Sequence, residues 1–466
     1  MKEVGNLKKF ITIILGALFV LGLSATAFAI HAEIPAETQA VVAKGVTQIT
    51  LGGNIRVRGW YLNDIVDTTL EVLTEGELEG ATRLPADVGS SSYYDERVRL
   101  SIDAASGSTT GRIHLESNSG NKDTWTWGGD PDTFDSKPTD VHILEAWIQH
   151  KFDAGFPVGV KIGHMPLVLG PAKLFYDHTK FGDDAIIVFS DPTPNTHIAL
   201  LTIKVDEGTS VATIGDLVGG NVSNADDADA YVALLNHKLG NTTLGAYYVY
   251  INSSDVGTKL QDVGVHAAGS VAGLTYTAQA DLNFGDAVEI LGTEIEAKGW
   301  AAWLELGYKI DPIGIRVMGA MGSGDEDPFD DEIEGFINFL GSNRYYTVVY
   351  DYQLAGANLV RYQGVSNTTV LNAGIDLKPT DKLALSVDGY WLQATETEWI
   401  ETLSEQSVDD DLGWEVDVKA SYDLAKNLKY FVWAGYMKTG DFYEDVFGPD
   451  FDKDPTVVMH GIEYAF

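Results

Sequence analysis

The sequence contains no cysteine in its 466 residues. Without disulfides, a secreted chain must take its stability from burial and backbone pairing. The same absence excludes haem attachment through Cys-x-x-Cys-His and thiolate metal sites. Basic residues are also scarce, because 31 Lys and Arg stand against 68 Asp and Glu, a net charge of −37. This acidity makes nucleic acid and anionic membrane surfaces poor partners.

Long hydrophobic runs are missing except at the start. A mean hydropathy of −0.04 is too polar for a bundle of membrane helices. The single apolar run, residues 10–23, follows Lys8 and Lys9 and precedes an A-x-A site ending at Ala29. This order is typical of a secretory signal peptide, predicted over residues 1–29, and the run is short for a permanent anchor. Residues 30–46 are then a periplasmic lead.

The last residues, 456–466, alternate in character. Phe466, Tyr464 and Ile462 share one face, and Ala465, Glu463 and Gly461 share the other. A period of two belongs to a strand with different solvents on its two sides. A strand that reaches the terminus needs a partner to stay ordered, so we expect it to close a sheet. A terminal Phe on such a strand resembles the assembly signal of Gram-negative outer-membrane β-barrels; an edge strand of a soluble protein is the alternative.

The same alternation recurs along the chain. In residues 48–61, Ile49, Leu51 and Ile55 lie opposite Arg56 and Arg58. About 18 such segments have the length that a tilted strand needs to cross the hydrocarbon. Short turns alternate with long connections at residues 63–92, 118–140, 166–183, 206–228, 285–296, 322–367, 395–411 and 439–454.

These patterns predict an all-β fold, a transmembrane antiparallel up-and-down β-barrel over residues 47–466. We expect about 18 strands, within a range of roughly 16–18, with short periplasmic turns and long extracellular loops. The barrel would lie in the cell outer membrane, in contact with lipid and lipopolysaccharide. Aromatic pairs near strand ends, such as Trp60 with Tyr61 and Tyr247 with Tyr248, fit headgroup girdles.

The face opposite the apolar one carries charges and is predicted to line a pore. An arginine cluster facing carboxylates would set a transverse field that orients dipolar solutes and selects ions. The alternative is that these groups pair with one another and only fill the wall. The predicted pore-lining residues are Arg56, Arg58, Arg97, Arg99, Arg112, His114, Glu116, Glu305, Arg316, Asp376, Asp388, Glu415, Asp417 and Lys419.

Residues 322–367 contain apolar runs at 335–340 and 345–350, which suit a free extracellular loop poorly. They are expected to fold into the lumen, or else to add a strand pair; residues 166–183 are the second candidate for the inward role. The acidic residues Asp325, Asp327, Asp330 and Asp331 could hold surface Ca²⁺ or Mg²⁺, although solvated loops are the simpler interpretation.

Residues 161–170 with 181–185, and residues 411–417 with 438–441, resemble strands of outer-membrane porins related to alginate exporters. The resemblance implies a barrel that passes small or polymeric solutes passively. We therefore expect a porin for small hydrophilic solutes or ions, with a homotrimer by analogy to general porins. The alternative is a barrel that docks a cytochrome, surface layer or adhesive partner through its loops.

Catalytic motifs are missing as well. The sequence has no Gly-x-Ser-x-Gly elbow, no His-Glu-x-x-His and no phosphate-binding glycine loop. The ten histidines are scattered. We therefore expect no enzymatic activity and no cofactor, with an outer-membrane hydrolase assembled from separate strands as the remaining alternative.

Overall fold

The computed structural model shows a closed antiparallel β-barrel of 18 strands, which confirms the predicted fold class. It describes residues 40–44, 47–64, 90–118, 125–127, 140–153, 155–180, 182–206, 228–253, 257–290, 292–327, 329–339, 346–351, 364–404, 406–447 and 453–466. The predicted signal peptide, residues 1–29, lies outside these ranges.

Each barrel strand pairs with its neighbour in sequence, as in an up-and-down barrel. The first nine strands are β1 Thr47–Asn63, β2 Ser91–Ser106, β3 Thr109–Asn118, β4 Asp140–Lys151, β5 Val158–Met165, β6 Asp183–Thr193, β7 Thr196–Asp206, β8 Ala228–Leu239 and β9 Thr242–Ser253. The other nine are β10 Lys259–Val271, β11 Leu274–Ile290, β12 Trp300–Ile310, β13 Ile313–Gly322, β14 Thr368–Leu377, β15 Leu383–Ala394, β16 Asp411–Ala425, β17 Leu428–Thr439 and β18 Thr456–Ala465.

The terminal strand closes the barrel. β18 pairs antiparallel with β1 from Thr456 to Ala465. Phe466 N–H donates to Gly53 O at 2.9 Å and Gly53 N–H donates to Phe466 O at 2.8 Å. The free terminus is therefore fixed by backbone pairing, as the alternating last stretch predicted. Residues Ala40–Lys44 pair with the start of β1, beyond the end of β18.

Alternation along the strands separates two surfaces. Ile55 and Leu100 face outward, 38% and 40% exposed, whereas the neighbouring Arg58 and Ser101 face inward and are buried. The aromatic pairs straddle the wall: Tyr61 and Tyr248 face outward, but Trp60 and Tyr247 are buried on the inner side. Assigning both members of each pair to a girdle was therefore wrong, since adjacent strand residues point to opposite faces.

Several connections carry structure that the sequence did not predict. Instead of an open loop at residues 285–296, β11 extends to Ile290 and pairs with a short strand, Thr293–Ala297. Two short helices, α1 Glu398–Ser404 and α2 Asp441–Phe447, lie within the last long connections. Short strands also occur at Trp125–Thr126 and Glu332–Ile333. None of the helices in the described ranges is long and apolar enough to cross a bilayer.

The hydrophobic core lies inside the barrel. Residues 167–177, called here the first inward segment, are largely buried and include Phe175 and Tyr176. Residues 335–339 and 346–351, called the second inward segment, bury Phe336 and Val349 in the same cluster. The two segments meet where Phe339 N–H donates to Phe175 O at 3.0 Å. The cluster also includes inner-face residues of the barrel wall, so the segments occupy part of the lumen.

Candidate functional site in the barrel lumen

The inner faces of β16, β17 and β1 to β3 carry most of the inward cations and are called here the basic wall. Arg56 and Arg97 sit directly opposite one another in the register of β1 and β2. A cavity of about 110 Å³ is lined by four cations from this wall together with Trp433 and Glu463. These four cations are Arg56, Arg58, Lys419 and Lys429. A space within the lumen is therefore bordered mainly by positive charge.

Several of these arginines hold carboxylates of the same wall. Arg58 forms a bidentate pair with Asp95, with Nε–Oδ1 at 2.9 Å and NH2–Oδ2 at 2.7 Å. Arg99 Nε donates to Glu116 at 2.5 Å. Such charge-assisted bonds fix the guanidinium planes and reduce the net charge locally. The expected arrangement, arginines on one wall and carboxylates on the others, is therefore too simple, because neighbouring strands supply both signs.

Arg112 belongs to a second cluster on β3 and β4. Its Nε donates to Asp103 at 2.8 Å and its NH1 donates to Glu145 at 3.2 Å. His114 Nδ1 lies 3.0 Å from Glu145, and Trp147 Nε1 donates to the same carboxylate at 2.8 Å. One carboxylate thus organises an arginine, a histidine and a tryptophan across two strands.

A larger cavity of about 790 Å³ lies beside β12 to β16. Arg316 is held there by Asp376, with Nε–Oδ2 at 2.7 Å, and by Asp388, with NH2–Oδ1 at 3.0 Å. Glu305 lines the cavity, and Lys419 lines both this cavity and the smaller one. Lys419 therefore lies between the two spaces. Both signs of charge border the larger cavity.

Glu415 and Asp417 bind the second inward segment. Glu415 accepts the backbone N–H groups of Val348 at 2.9 Å, Val349 at 2.7 Å and Tyr350 at 2.9 Å. Asp417 accepts Val348 N–H at 3.0 Å. Both carboxylates are completely buried. The turn is therefore held by two carboxyl groups of the wall, which together accept three backbone N–H groups that would otherwise be orphaned.

Gly435 of β17 makes room for this contact. A Cβ at this position would lie 2.8 Å from Val349 Cγ2 and 2.9 Å from Asp417 Oδ1. Any larger residue would therefore push the turn away from the wall. Tyr390 OH, from β15, adds a second anchor by donating to Tyr346 O at 2.8 Å.

The inner faces of β6 to β8 form an apolar wall. Leu201, Ile203 and Val232 are buried against the first inward segment, including Leu169 and Tyr176. Outward neighbours are also apolar, for example Leu200 at 60% exposure. These strands are therefore apolar on both faces, because one face meets the segment and the other faces outward.

Each predicted pore-lining residue lies on the inward parity of its strand. The half-buried ones are Arg56, Arg97, Arg99, Arg112, His114, Glu305, Arg316, Asp376 and Lys419. The fully buried ones are Arg58, Glu116, Asp388, Glu415 and Asp417. The structure gathers them into the clusters above, and it places Glu415 and Asp417 under the second inward segment.

Other lumen residues were not among the predicted set. Glu145, Lys161, Asp262, Asp281 and Asn283 all face inward, and Lys161 Nζ lies 4.1 Å from the centre of the Trp147 ring. Strand parity would have found Asp262, Asp281 and Asn283, which lie in predicted strands. Strand parity alone does not predict that Glu145 faces inward, because β4 contains a register shift opposite His114 and Leu115.

The acidic candidates for a cation, Asp325, Asp327, Asp330 and Asp331, lie outside the barrel strands. Within the described ranges no three His, Asp or Glu side chains are arranged to hold a metal ion. Burial, with the charges of Asp330 and Glu334 nearby, raises the pKa of Asp325 to about 6. This carboxyl therefore titrates near neutral pH.

Residues 217–452, just over half of the chain, match the model of a family described as alginate export. No curated protein matches the sequence.

Solved structures match over nearly the whole barrel. A BenF-like porin from Pseudomonas fluorescens Pf-5 has a TM-score of 0.54, with 10% identity, over 90% of this chain and 98% of that one. OpdL of Pseudomonas aeruginosa has a TM-score of 0.54, with 11% identity, over 89% of this chain and 98% of that one. OccAB2 of Acinetobacter baumannii has a TM-score of 0.51, with 10% identity, over 89% of this chain and 98% of that one. At these identities the likeness concerns the fold.

Proposed function

The chain belongs to the alginate export family, and on that premise we propose that it is a passive outer-membrane channel for small hydrophilic solutes. Solutes pass along the charged cavities that Arg56, Lys419 and Arg316 line, beside the two inward segments, which narrow the lumen. The channel prefers anions, such as small molecules that carry a carboxylate or phosphate group.

The observation that carries this proposal is the opposed pair Arg56 and Arg97. Like charges directly opposite one another destabilise a sheet. Both lie on the inward side of the wall, and Arg56 lines the smaller cavity; an inward charge costs far less than a charge on the lipid face. Lys419 and Lys429 extend the positive surface beside the same cavity. A row of cations along a water-filled route raises the local concentration of anions and lowers that of cations.

The inward segments support the selective character of the channel. They bury an apolar cluster on one side of the lumen and leave charged cavities on the other. A solute is therefore directed along charged groups that can replace part of its hydration shell. Binding at several weak positions permits release as well as entry.

The test is to insert the purified protein into planar lipid bilayers under a salt gradient. We expect discrete conductance steps and a reversal potential of the sign that anion preference produces. A folded barrel that never conducts contradicts the transport proposal. Recovery of a stoichiometric protein partner with a non-conducting barrel favours the docking alternative instead.

We also propose a homotrimer, by analogy with general porins. Light scattering of the detergent-solubilised protein, corrected for bound detergent, distinguishes three chains from one. A monomeric mass would contradict the trimer and leave the channel proposal intact.

A further inference from the structure

Two carboxylates lie buried on the inner face of β10 and β11. Asp262 and Asp281 are both fully inaccessible to solvent, and their carboxyl groups are within hydrogen-bonding reach of one another. Neither forms an ion pair with a lysine or arginine among the described residues. Two ionised carboxylates that share one buried site repel each other and lose their hydration.

The surrounding hydrogen bonds account for three of the four carboxyl oxygens. Tyr247 OH donates to Asp281 Oδ1, and Gln279 Nε2 donates to Asp281 Oδ2 at 2.9 Å. Asn283 Nδ2 donates to Asp262 Oδ2 at 3.0 Å. The remaining oxygen, Asp262 Oδ1, is buried and has no hydrogen-bond partner among the described residues.

The two amides are fixed in orientation by the inward segments. Ala172 N–H donates to Gln279 Oε1 at 2.8 Å, and Ile337 N–H donates to Asn283 Oδ1 at 2.7 Å. A backbone N–H needs an oxygen acceptor, so the nitrogen end of each amide must face the carboxylates. A bound metal ion would require amide oxygens in that place. The site therefore offers donors to the carboxylates and suits a proton better than a metal.

The neighbouring elements bring few other titratable groups to the pair. β9 contributes Tyr247, and β10 itself contributes His266, which lies opposite Gln279 in the register. β12 places Ala301 opposite Asp281. The two inward segments contribute the backbone N–H groups of Ala172 and Ile337.

We propose that Asp262 and Asp281 share one proton, carried on Asp262 Oδ1 and donated to the Asp281 carboxylate. The same network connects this proton to both inward segments, through Gln279 to the first and through Asn283 to the second. In alkaline solution the proton leaves to hydroxide or water in the lumen, and the two charges repel. The side chains of Gln279 and Asn283 then shift from their hydrogen-bonded positions. The two inward segments detach from the wall, and the conductance of the channel rises.

The test has one readout that does not depend on conduction. Infrared spectra of the folded barrel near neutral pH are compared for the unmodified protein, Asp262→Asn, Asp281→Asn and the control Asp103→Asn. Asp103 also faces the lumen but is paired with Arg112. We expect the unmodified protein and the control to show the protonated-carboxyl C=O band. Each of the two other variants loses the contribution of one carboxyl, because an amide supplies the donor in place of the proton.

The second readout is bilayer conductance as the pH is raised. The unmodified protein and Asp103→Asn should show a reversible rise, and Asp262→Asn should not. Asp281→Asn serves the same purpose if Asp262→Asn does not fold. An unchanged carboxyl band in both site variants overturns the proposal, as does a rise in conductance with pH that persists in Asp262→Asn and Asp281→Asn. If the barrel does not conduct at all, the infrared comparison still tests whether Asp262 and Asp281 share a proton.

Discussion

The basic wall and the apolar wall are alike on their outer faces, which are apolar, but differ on their inner faces. Val57 on the basic wall and Leu200 on the apolar wall both turn outward. Inward, Arg56 and Arg58 border a cavity, whereas Leu201 is buried beneath the first inward segment. The difference arises because the first inward segment covers the apolar wall, whereas a cavity borders Arg56 and Arg58. What a wall contacts therefore decides its inner residues, and the bilayer decides only the outer ones.

Removing a large buried side chain of the first inward segment should break this difference most severely. Phe175→Ala leaves a cavity in the buried cluster that the segment shares with the apolar wall, and the free energy of unfolding should fall by about 3–5 kcal/mol. Denaturant unfolding in detergent micelles measures the loss. The control is Ile186→Ala on the outer face of β6, which is 44% exposed and should cost much less. Equal losses would contradict the packing of the segment against the wall.

Removing the anchor of the second inward segment should be the next largest effect. Glu415→Ala leaves the N–H groups of Val349 and Tyr350 without their acceptor, removes one of the two acceptors of Val348 N–H, and should destabilise the turn by roughly 3 kcal/mol. We expect larger single-channel conductance, because the turn leaves the wall. Glu116→Gln is the matched control, since Glu116 is also a buried wall carboxylate but pairs with Arg99. Conductance that rises equally in both variants would argue against an anchor specific to Glu415.

Removing charge from the basic wall should have a moderate effect. A unit charge about 4 Å away in water is worth about 1 kcal/mol, or roughly fivefold in local ion concentration. The double variant Arg56→Ala with Arg97→Ala should therefore lower the ratio of anion to cation permeability severalfold. The reversal potential under a salt gradient measures this ratio. Lys238→Ala, at an exposed position on β8, is the control and should leave it nearly unchanged. A shift of the same size in the control would mean that net charge alone sets selectivity.

The smallest expected effect concerns Asp325, which follows β13 and precedes the second inward segment. Its pKa in the folded protein, about 6, exceeds the value near 3.9 of an exposed aspartate, so the folded state binds the proton more tightly. The local fold should therefore gain stability as the pH falls from 7 toward 4 and lose it as the pH rises through 6. Hydrogen exchange of residues 323–336 measures this change, corrected for the intrinsic rate. Asp325→Asn should remove the dependence; an unchanged profile contradicts it.

Most of the barrel could be predicted because lipid imposes a period of two on every strand. The terminal strand and the inward parity of Arg56 or Asp388 follow from that period alone. The walls were harder to distinguish, because Leu200 and Leu201 are apolar neighbours on opposite faces and alternation is lost where a segment covers the inner side. Strand alternation alone cannot reveal a covering chain.

The pairings inside the lumen were beyond the sequence for a second reason. Asn54 donates to Glu463 at 2.6 Å across 409 residues, a contact created only when the barrel closes. Likewise, Glu415 meets Val349 only because a long connection returns into the lumen. The period of two predicts which side of the barrel wall a residue faces. It does not predict which distant residue lies beside it.

The central claim is that the open route follows the basic wall and that the apolar wall is covered. Because the chain has no cysteine, single variants Arg97→Cys and Leu201→Cys can each be exposed to a membrane-impermeant thiol reagent while current flows. Both residues face inward, so a freely open lumen would expose both. We predict rapid modification and a fall in current for Arg97→Cys and little change for Leu201→Cys. Equal reaction at both positions, or faster reaction at Leu201→Cys, would contradict the account.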